Sequence, residues 1–171
     1  MTNIELDRCI KEYMNGDESK FNDIYYETKK IVYLSIYSII TDRDTIEDIM
    51  QDTYMKAINK LESYRFGTNF KAWISSIARN LSLNEYNRRK KVLYLDDGSN
   101  EVLSYSYEGG LIDKCLNLIK DDNDMKQIFI YRIVFELGFR EISNLMDIPK
   151  STIHDTYKKI VKILKDNLED F

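Results

Sequence analysis

Proline and glycine are scarce in this sequence, with one proline and six glycines among 171 residues. Average usage is about 5% for proline and about 7% for glycine, so that both are strongly depleted. This depletion excludes collagen, low-complexity disorder and a turn-rich all-β sandwich. Hydrophobic residues make up 43% of the chain, enough to bury a core in one medium domain or in two small ones.

Cysteine and histidine are scarce as well. Cys9 and Cys115 stand alone without a CxxC pair, and His154 is the single histidine. These counts exclude a disulfide framework and a zinc finger, so that we expect no metal site and no cofactor. An enzyme built inside a helical bundle is also excluded, because inward ligands such as Glu-x-x-His are missing, and we expect no catalytic residues.

The sequence lacks both a membrane-spanning run and an export signal. No stretch approaches the roughly 18 consecutive apolar residues of a membrane span. The first ten residues, MTNIELDRCI, have no basic segment followed by an apolar run. The sequence therefore predicts a cytoplasmic protein with no membrane insertion.

A basic excess is missing overall, since the net charge is −4, which argues against nucleic-acid binding through charge alone. The distribution of charge is uneven, however. Residues 77–94 carry five basic side chains against one acidic one, and residues 148–165 carry the same balance. Two basic patches on an acidic chain indicate two contacts with nucleic acid and at least one surface for a basic partner. For either patch alone, an ordinary solvated helix face is the alternative.

Apolar residues recur at helical spacing through most of the chain, and no segment alternates with a period of two. The clearest stripe runs from Ile46 to Leu61, with Asp44 as the expected N-cap and Glu47 as its partner three residues on. Further stripes predict helices at 21–40, 70–91, 111–119, 125–137, 140–146 and 151–168. The predicted fold class is therefore all-α.

The helical pattern breaks at residues 95–110, LDDGSNEVLSYSYEGG, an acidic stretch with three of the glycines. Such a composition indicates a flexible linker. The sequence thus predicts two small helical domains, at about 1–94 and 111–171, joined by this acidic linker.

The C-terminal region has a helix-turn-helix layout, in which a short helix is followed by a break at Asp147 to Pro149 and by a longer helix. Pro149 fits the start of the longer helix because the first helical N–H groups have no partner in any case. The outward residues of this helix can reach base edges near its start and phosphates further along. They are Lys150, Ser151, Thr152, His154, Asp155, Lys158, Lys159 and Lys162. A plain helical hairpin with a solvated face is the alternative.

Three motifs in this order resemble those of bacterial RNA polymerase sigma factors of the sigma-70 family, and specifically the small extracytoplasmic-function type. The motifs are DTIEDIMQDTYMKAI, YRFGTNFKAWISSIARNLSLNEYNRRKK and PKSTIHDTYKK, and the resemblance covers about residues 20–92 and 111–168. The chain departs from the family pattern at His154 and Asp155, where basic or small residues are common, and at Ile46, where alanine is frequent. These departures concern the promoter sequence rather than the class.

The resemblance implies that the acidic helix docks on the clamp helices of the largest polymerase subunit. The family match covers Glu47, Asp48 and Gln51, and the outward positions add Asp52 and Met55. Asp48 and Asp52 are like charges one turn apart, a spacing that costs about 0.2–0.5 kcal/mol in an isolated helix. A basic partner surface would reverse this cost, whereas a solvated face is the alternative.

The resemblance also implies that a loop and the following basic helix hold the melted minus-ten strand. Aromatic residues of such a loop can stack on a splayed base for about 1–3 kcal/mol, and arginines can bind the phosphates. The expected minus-ten residues are Tyr64, Phe66, Asn69, Arg79, Asn80, Asn84, Arg88 and Arg89. For Tyr64 and Phe66 the alternative is core packing against Trp73, which is itself expected in the core. The helix-turn-helix would bind the minus-thirty-five element.

The predicted function is that of a dissociable sigma factor without catalysis of its own. Its expected partners are core RNA polymerase and promoter DNA, both as duplex and as melted strand, and an anti-sigma protein is a further candidate. The alternative is a free-standing helix-turn-helix regulator that acts without polymerase. That alternative leaves the acidic helix without a role.

Overall fold

The computed structural model describes residues 1–93, 110–119 and 122–168, and all regular structure within these ranges is helical. The α-helices are α1 (Asn3–Met14), α2 (Lys20–Tyr37), α3 (Arg43–Asn59), α4 (Phe70–Leu93), α5 (Leu111–Leu118), α6 (Asn123–Phe129), α7 (Phe139–Met146) and α8 (Lys150–Asn167). A 3₁₀ turn at Leu61–Ser63 follows α3, and a π-helical turn at Ile130–Val134 continues α6. The all-α class is confirmed, whereas all of the expected linker except Gly110 lies outside the described residues.

The helix that carries the acidic face begins earlier than the sequence predicts. Asp42, and not Asp44, is the N-cap of α3, because its carboxylate accepts a hydrogen bond from the N–H of Thr45 at 3.1 Å. Asp44 lies in the first turn instead, where its negative charge stabilises the helix by interacting with the positive end of the helix dipole. At α1, a helix that the sequence analysis did not assign, Thr2 and Glu5 form a reciprocal capping box.

Helices α1 to α4 pack around a first apolar cluster. Each helix contributes buried residues at helical spacing, such as Ile10 from α1, Ile36 from α2, Ile46 from α3 and Ile74 from α4. This arrangement turns the opposite, polar side of α3 and part of α4 outward. The cluster therefore positions two of the predicted surfaces on one helical scaffold.

Helices α5 to α8 enclose a second apolar cluster, which contains the fully buried Ile128, Ile142, Ile153 and Ile160 among others. Leu34 of α2 and Ala72 of α4 also belong to this second cluster. The two groups of helices are thus in direct contact rather than joined only through the chain.

Two predicted helices end earlier than their apolar stripes. Helix α2 ends at Tyr37, although Ile39 and Ile40 are buried behind it. The helix predicted at 125–137 is α-helical only as far as Phe129, and the π-helical turn follows. An apolar pattern reports burial, and burial continues in both places after the α-helical hydrogen bonding has ended.

Candidate polymerase-docking and DNA-binding surfaces

The outer face of α3 carries all five predicted docking residues. Each of Glu47, Asp48, Gln51, Asp52 and Met55 is exposed, and Met55 is exposed to 63%. The opposite side of the helix is buried in the first cluster. None of these five side chains is needed for the core, so that the whole face is available to a partner.

A groove of about 910 Å³ runs between α2 and α3 and includes part of this face. Glu47, Gln51 and Met55 line it as one row of α3, whereas Asp48 and Asp52 form the neighbouring row. The remaining lining residues are Phe21, Tyr25, Tyr33, Arg43, Ile46, Met50 and Tyr54. The sequence analysis missed the contribution of α2, although the four- and eight-residue spacings of its aromatic residues place them on one side of a helix.

At the mouth of the groove, Arg43 donates to Glu47 at 3.1 Å. The two side chains are 81% and 60% exposed. An ion pair this exposed contributes little to stability, so that a partner can replace either half at small cost.

Tyr64, a predicted base-stacking residue, is part of the core and is only 4% exposed. Its hydroxyl donates to Asp7 at 2.8 Å, and the same carboxylate accepts from the N–H of Gly67 at 2.7 Å. Burial and the contact with Asp7 raise the pKa of Tyr64 above its ordinary value. Tyr64 thus packs in the core against Trp73, with ring centroids 5.5 Å apart, and a role of Tyr64 in base stacking stays a prediction.

Phe66 and Asn69 of the same loop also have structural contacts. Phe66 is half-buried, with its ring edge-on to Tyr64 and with the ammonium of Lys11 4.9 Å from its centroid. The side-chain oxygen of Asn69 accepts from the N–H of Ala72 at 3.1 Å and so caps the start of α4. Phe66 is thus the one predicted stacking ring of this loop that solvent still reaches.

Helix α4 separates the predicted minus-ten residues onto two sides. Asn80, Asn84 and Arg88 are exposed and follow each other at intervals of four, which places them in one row along the helix. The side chain of Arg79 is only 12% exposed, and its guanidinium donates to Asp124 of α6 at 2.9 Å. The exposed row is available to a nucleic acid, whereas Arg79 is engaged within the chain.

Glu85 holds the arginines at the basic end of α4. Its carboxylate accepts from Arg88 at 2.8 Å and from Arg89 at 2.7 Å, and these hydrogen bonds lower the pKa of Glu85 to about 2. Arg89 also lies 3.5 Å from Asp42, whose pKa is lowered mainly by a hydrogen bond from Thr45. Both arginines are solvent-accessible, with 70% and 43% of their side chains exposed, so that a phosphate can compete for them.

The predicted residues of α8 lie along one solvent-accessible face. All are exposed except the half-buried His154, which packs edge-on against Phe139 of α7 with ring centroids 5.3 Å apart. Asp155 lies 4.0 Å from Lys158 and reduces the positive charge near the middle of this face. The basic residues of this face are concentrated from Lys158 to Lys162, and Lys150 is the one lysine near its start.

The junction between α7 and α8 is fixed by local hydrogen bonds. Helix α7 ends at Met146, and Asp147 follows in the left-handed conformation with φ of 54°. The hydroxyl of Ser143 donates to the carbonyl of Ile148 at 2.7 Å, and α8 begins at Lys150. The two helices are thus separated by the three residues from Asp147 to Pro149.

The described part of the chain shows no group of three or more His, Cys, Asp or Glu side chains that could hold a metal ion. Within the same ranges, no helix has both the length and the apolar character that crossing a membrane requires.

Comparison with known proteins identifies relatives along nearly the whole chain. Residues 14–92 match the family model for Sigma-70 region 2. The extracytoplasmic-function RNA polymerase sigma factor SigW of Bacillus subtilis is 24% identical, over 96% of this chain and 97% of its own length. The sigma-E factor of Haemophilus influenzae is 23% identical, over 94% and 93% of the two chains.

Solved structures show the same fold. The sigma factor RpoE from Bartonella quintana, in complex with the anti-sigma factor NepR, superimposes with a TM-score of 0.73 and 22% identity, over 88% of this chain and 97% of that one. CnrH, in complex with the cytosolic domain of CnrY, gives a TM-score of 0.67 at 13% identity, over 95% and 96% of the chains. Residues 14–92 therefore form a Sigma-70 region 2, and the chain as a whole is similar from end to end to extracytoplasmic-function sigma factors and shares the fold of solved sigma factors.

Proposed function

We propose that this chain is a dissociable specificity subunit, and not an enzyme, that binds core RNA polymerase and directs it to promoters. The observation that carries the proposal is the outer face of α3, where acidic side chains and an exposed methionine border an aromatic groove. The face lies within the residues that match Sigma-70 region 2. Such a surface suits a basic, partly apolar partner, which the clamp helices of the polymerase would be.

Promoter DNA is the second partner in this proposal. The exposed row of Asn80, Asn84 and Arg88 on α4 would contact the melted minus-ten strand, since amides can read a base edge and arginine can bind a phosphate. The exposed face of α8 would bind the duplex minus-thirty-five element in the manner of a recognition helix. Residues 1–94 and 111–171 would form the two corresponding domains, joined by residues 95–110.

An anti-sigma protein is the third proposed partner. RpoE from Bartonella quintana was solved with the anti-sigma factor NepR bound, and CnrH with the cytosolic domain of CnrY. A regulator of this kind would compete with polymerase for the groove between α2 and α3. The protein would act where transcription takes place, in the cytoplasm.

A free-standing helix-turn-helix regulator is the second candidate function, and the basic face of α8 is the observation in its favour. Such a regulator would bind duplex DNA without polymerase, usually as a dimer on repeated half-sites. It would leave the groove and the acidic face of α3 without a partner.

Run-off transcription distinguishes the two functions. Purified core polymerase would transcribe fragments of the genome with and without the full-length chain, and we expect new start sites only when the chain is present. Core polymerase alone and the chain alone are the controls. If no new start sites arise while the chain binds duplex DNA by itself, the free-standing regulator is the better assignment.

A further inference from the structure

The loop that carries the predicted stacking residues is tied to α1 by the carboxylate of Asp7. One oxygen accepts from the hydroxyl of Tyr64 at 2.8 Å, and the other accepts from the N–H of Gly67 at 2.7 Å. Both donors lie in the loop, 57 and 60 positions from Asp7 in the sequence. Hydrogen bonds to a charged acceptor are about twice as strong as neutral ones, so that Asp7 holds the loop firmly at two points.

Gly67 belongs to a turn that places Phe66 at its corner. The N–H of Thr68 donates to the carbonyl of Arg65 at 3.3 Å, and Gly67 has φ of 80°. A positive φ at the third residue is what a type II turn requires, and Phe66 is the second residue of this turn. Asp7 binds the N–H of Gly67, which belongs to the peptide group directly after Phe66. The backbone that carries the Phe66 ring is therefore held both by the turn and by α1.

The ring of Phe66 is held by a second side chain of α1. Lys11 follows Asp7 by one helical turn on the same side of α1, and its ammonium lies 4.9 Å from the centroid of the Phe66 ring. Cations are attracted to the face of an aromatic ring. Because the ammonium covers one face of Phe66, a base can stack only on the other face. Helix α1 thus determines both the position of the ring and the face that it offers.

We propose that Asp7 and Lys11 are positioning residues for base stacking, which hold Phe66 in the orientation that accepts an unpaired base of the melted strand. A loop that is ordered before binding loses less conformational entropy when the base arrives, and this strengthens binding. Asp7 acts through Phe66, since its own negative charge repels DNA. The positioning role rests on the proposed function only for the source of the strand.

The test measures base stacking by the full chain in the absence of polymerase. Fluorescence anisotropy gives the affinity for a labelled oligothymidylate and for an oligonucleotide of the same length in which abasic sites replace the nucleotides' bases. Both probes carry the same phosphates, so that the ratio of the two affinities isolates the contribution of the bases. This quantity is the stacking ratio.

We expect Phe66→Ala to lower the stacking ratio by about fivefold or more, which corresponds to the loss of one stacked base. Asp7→Ala should lower it by about threefold or more, because the loop then spends a smaller fraction of the time in the competent orientation. In the Phe66→Ala background, Asp7→Ala should cause no further loss. Glu62→Ala is the charge-matched control, since it removes the same charge from an exposed site just before the loop, and it should leave the ratio unchanged.

Asp7→Asn separates the hydrogen bonds from the charge. The amide oxygen of asparagine can accept from the N–H of Gly67, and its NH₂ group can donate to the oxygen of Tyr64. The Tyr64 hydroxyl then donates to the carbonyl of Thr68, from which it lies 3.0 Å. We therefore expect Asp7→Asn to keep most of the stacking ratio and the melting temperature of the wild type.

Lys11→Met tests the cation on the ring. Lys11 is exposed, so that the substitution leaves the core intact, and we expect the stacking ratio to fall by about twofold. Lys29→Met is the matched control, because Lys29 is also exposed and its ammonium lies 4.7 Å from the ring centroid of Tyr26 on α2. The control removes the same charge and the same kind of contact away from the loop, and it should leave the ratio unchanged.

The positioning role would be overturned by a stacking ratio that does not depend on Phe66, or by a loss in Asp7→Ala that persists without Phe66. A ratio for Asp7→Ala or Lys11→Met equal to that of its control would overturn it as well, and so would a loss in Asp7→Asn as large as in Asp7→Ala. If Asp7→Ala does not fold, the comparison of Lys11→Met with Lys29→Met decides.

The assay contains no polymerase, so that its result is independent of the run-off experiment. A failed run-off experiment would count against the proposed function and leave the positioning role standing. A chain that directs new start sites but has a stacking ratio independent of Phe66 would contradict the positioning role alone.

Discussion

Asn80 and Arg79 are neighbours in the chain, yet they lie in different surroundings. Asn80 is exposed in the row that also contains Asn84, whereas Arg79 is held against Asp124. A helix turns by about 100° per residue, so that adjacent side chains point to different sides. Asn80 is therefore the side chain of this pair whose removal changes a surface without breaking the ion pair between α4 and α6.

We expect Asn80→Ala to leave core binding and closed-complex formation intact while reducing strand opening. Asn80 is exposed and makes no side-chain hydrogen bond to the other residues that the structure describes, so that its amide is available to read the edge of a melted base. Permanganate footprinting of unpaired thymines would measure opening, with Asn22→Ala on α2 as the exposed control. A pre-melted promoter should rescue opening but leave sequence choice relaxed. Full opening of ordinary duplex by Asn80→Ala would refute this role.

Glu85→Gln should strengthen binding to single-stranded DNA by a few-fold and steepen its salt dependence. The substitution removes the carboxylate that holds Arg88 and Arg89, and each additional phosphate contact on a single strand steepens the slope of log K against log salt by about 0.7. Fluorescence anisotropy with a labelled oligonucleotide, at several salt concentrations, measures both quantities. Glu62→Gln, an exposed site on the turn after α3, is the charge-matched control. Identical behaviour of the two variants would show that Arg88 and Arg89 do not bind the strand.

The same carboxylate predicts an acid-side dependence of stability. The pKa of Glu85 is lowered to about 2, so that its pairing stabilises the folded chain above its ordinary pKa. This contribution is lost as the pH falls from there towards 2. The difference in melting temperature between the wild type and Glu85→Gln should therefore shrink over this interval.

Side chains such as Tyr64 show the limit of sequence-based prediction. The sequence leaves both base stacking and core packing open for the aromatic residues of the loop. The hydrogen bond that holds Tyr64 in the core is donated to Asp7, which is 57 positions away in the sequence. No local pattern contains that contact, and the same holds for Arg79 and Asp124, which are 45 positions apart.

The docking face of α3 can be tested by charge reversal. We expect Asp48→Lys with Asp52→Lys to reduce core affinity by two or more decades, because like charges across an interface cost several kcal/mol and about 1.4 kcal/mol is one decade. Both residues are exposed, so that helical content and melting temperature should not change. Co-purification with core polymerase, circular dichroism and thermal melting measure the three quantities.

The control for this charge reversal is Glu62→Lys with Asp166→Lys, which makes the same change in net charge at exposed sites elsewhere. It should retain core binding. Retained binding by the α3 variant would refute the docking assignment, and a collapsed melting temperature would show that these two carboxylates belong to the fold.

The lysines of α8 should differ in their roles along the helix. Replacing Lys158 or Lys162 by alanine should weaken binding to all duplexes alike and flatten the salt slope by about one unit each. Replacing Lys150, at the start of the helix, should instead change which minus-thirty-five sequences are used. Binding titrations on a small promoter set, with Lys165→Ala as control, measure both effects. Unaltered promoter choice and slope in all variants would show that α8 is not the reader.

His154 needs a different substitution from the lysines. Its ring packs against Phe139, so that alanine would remove a contact between α7 and α8 as well as a polar group. His154→Gln retains a polar side chain of similar reach. A change of promoter choice without a change of melting temperature would assign His154 to sequence recognition.

Most of the helices could be predicted because their apolar stripes are long and regular. The helix boundaries predicted from the sequence were wrong where residues stay buried after the α-helical hydrogen bonding has ended. Ile39 behind α2 and Ile130 in the π-helical turn are the examples. The groove between α2 and α3 could not be predicted, since its walls come from two helices whose pairing the stripes do not specify. The acidic row of Asp48 and Asp52 beside the groove could be predicted, because both residues lie on one helix.

The division into two groups of helices is visible in the two apolar clusters. The sequence predicts separate domains from its acidic stretch, and their independence stays a prediction. The contact between them could not be inferred, because it depends on Leu34 and Ala72 joining a cluster whose other members begin at Cys115. Folding experiments must therefore treat the clusters as coupled until their stabilities are measured separately.

The two cysteines allow that measurement in the unaltered chain. Cys9 belongs to the first cluster and Cys115 to the second, and both thiols are free and buried. Burial raises the pKa of Cys115, which further slows its alkylation at neutral pH. Because each thiol reacts only when its own surroundings open, iodoacetamide labelling followed by peptide mass spectrometry times the opening of each cluster. We expect two distinct labelling rates, so that each cysteine is an internal probe of the opening of its own cluster. A single shared rate would mean that the clusters unfold as one unit.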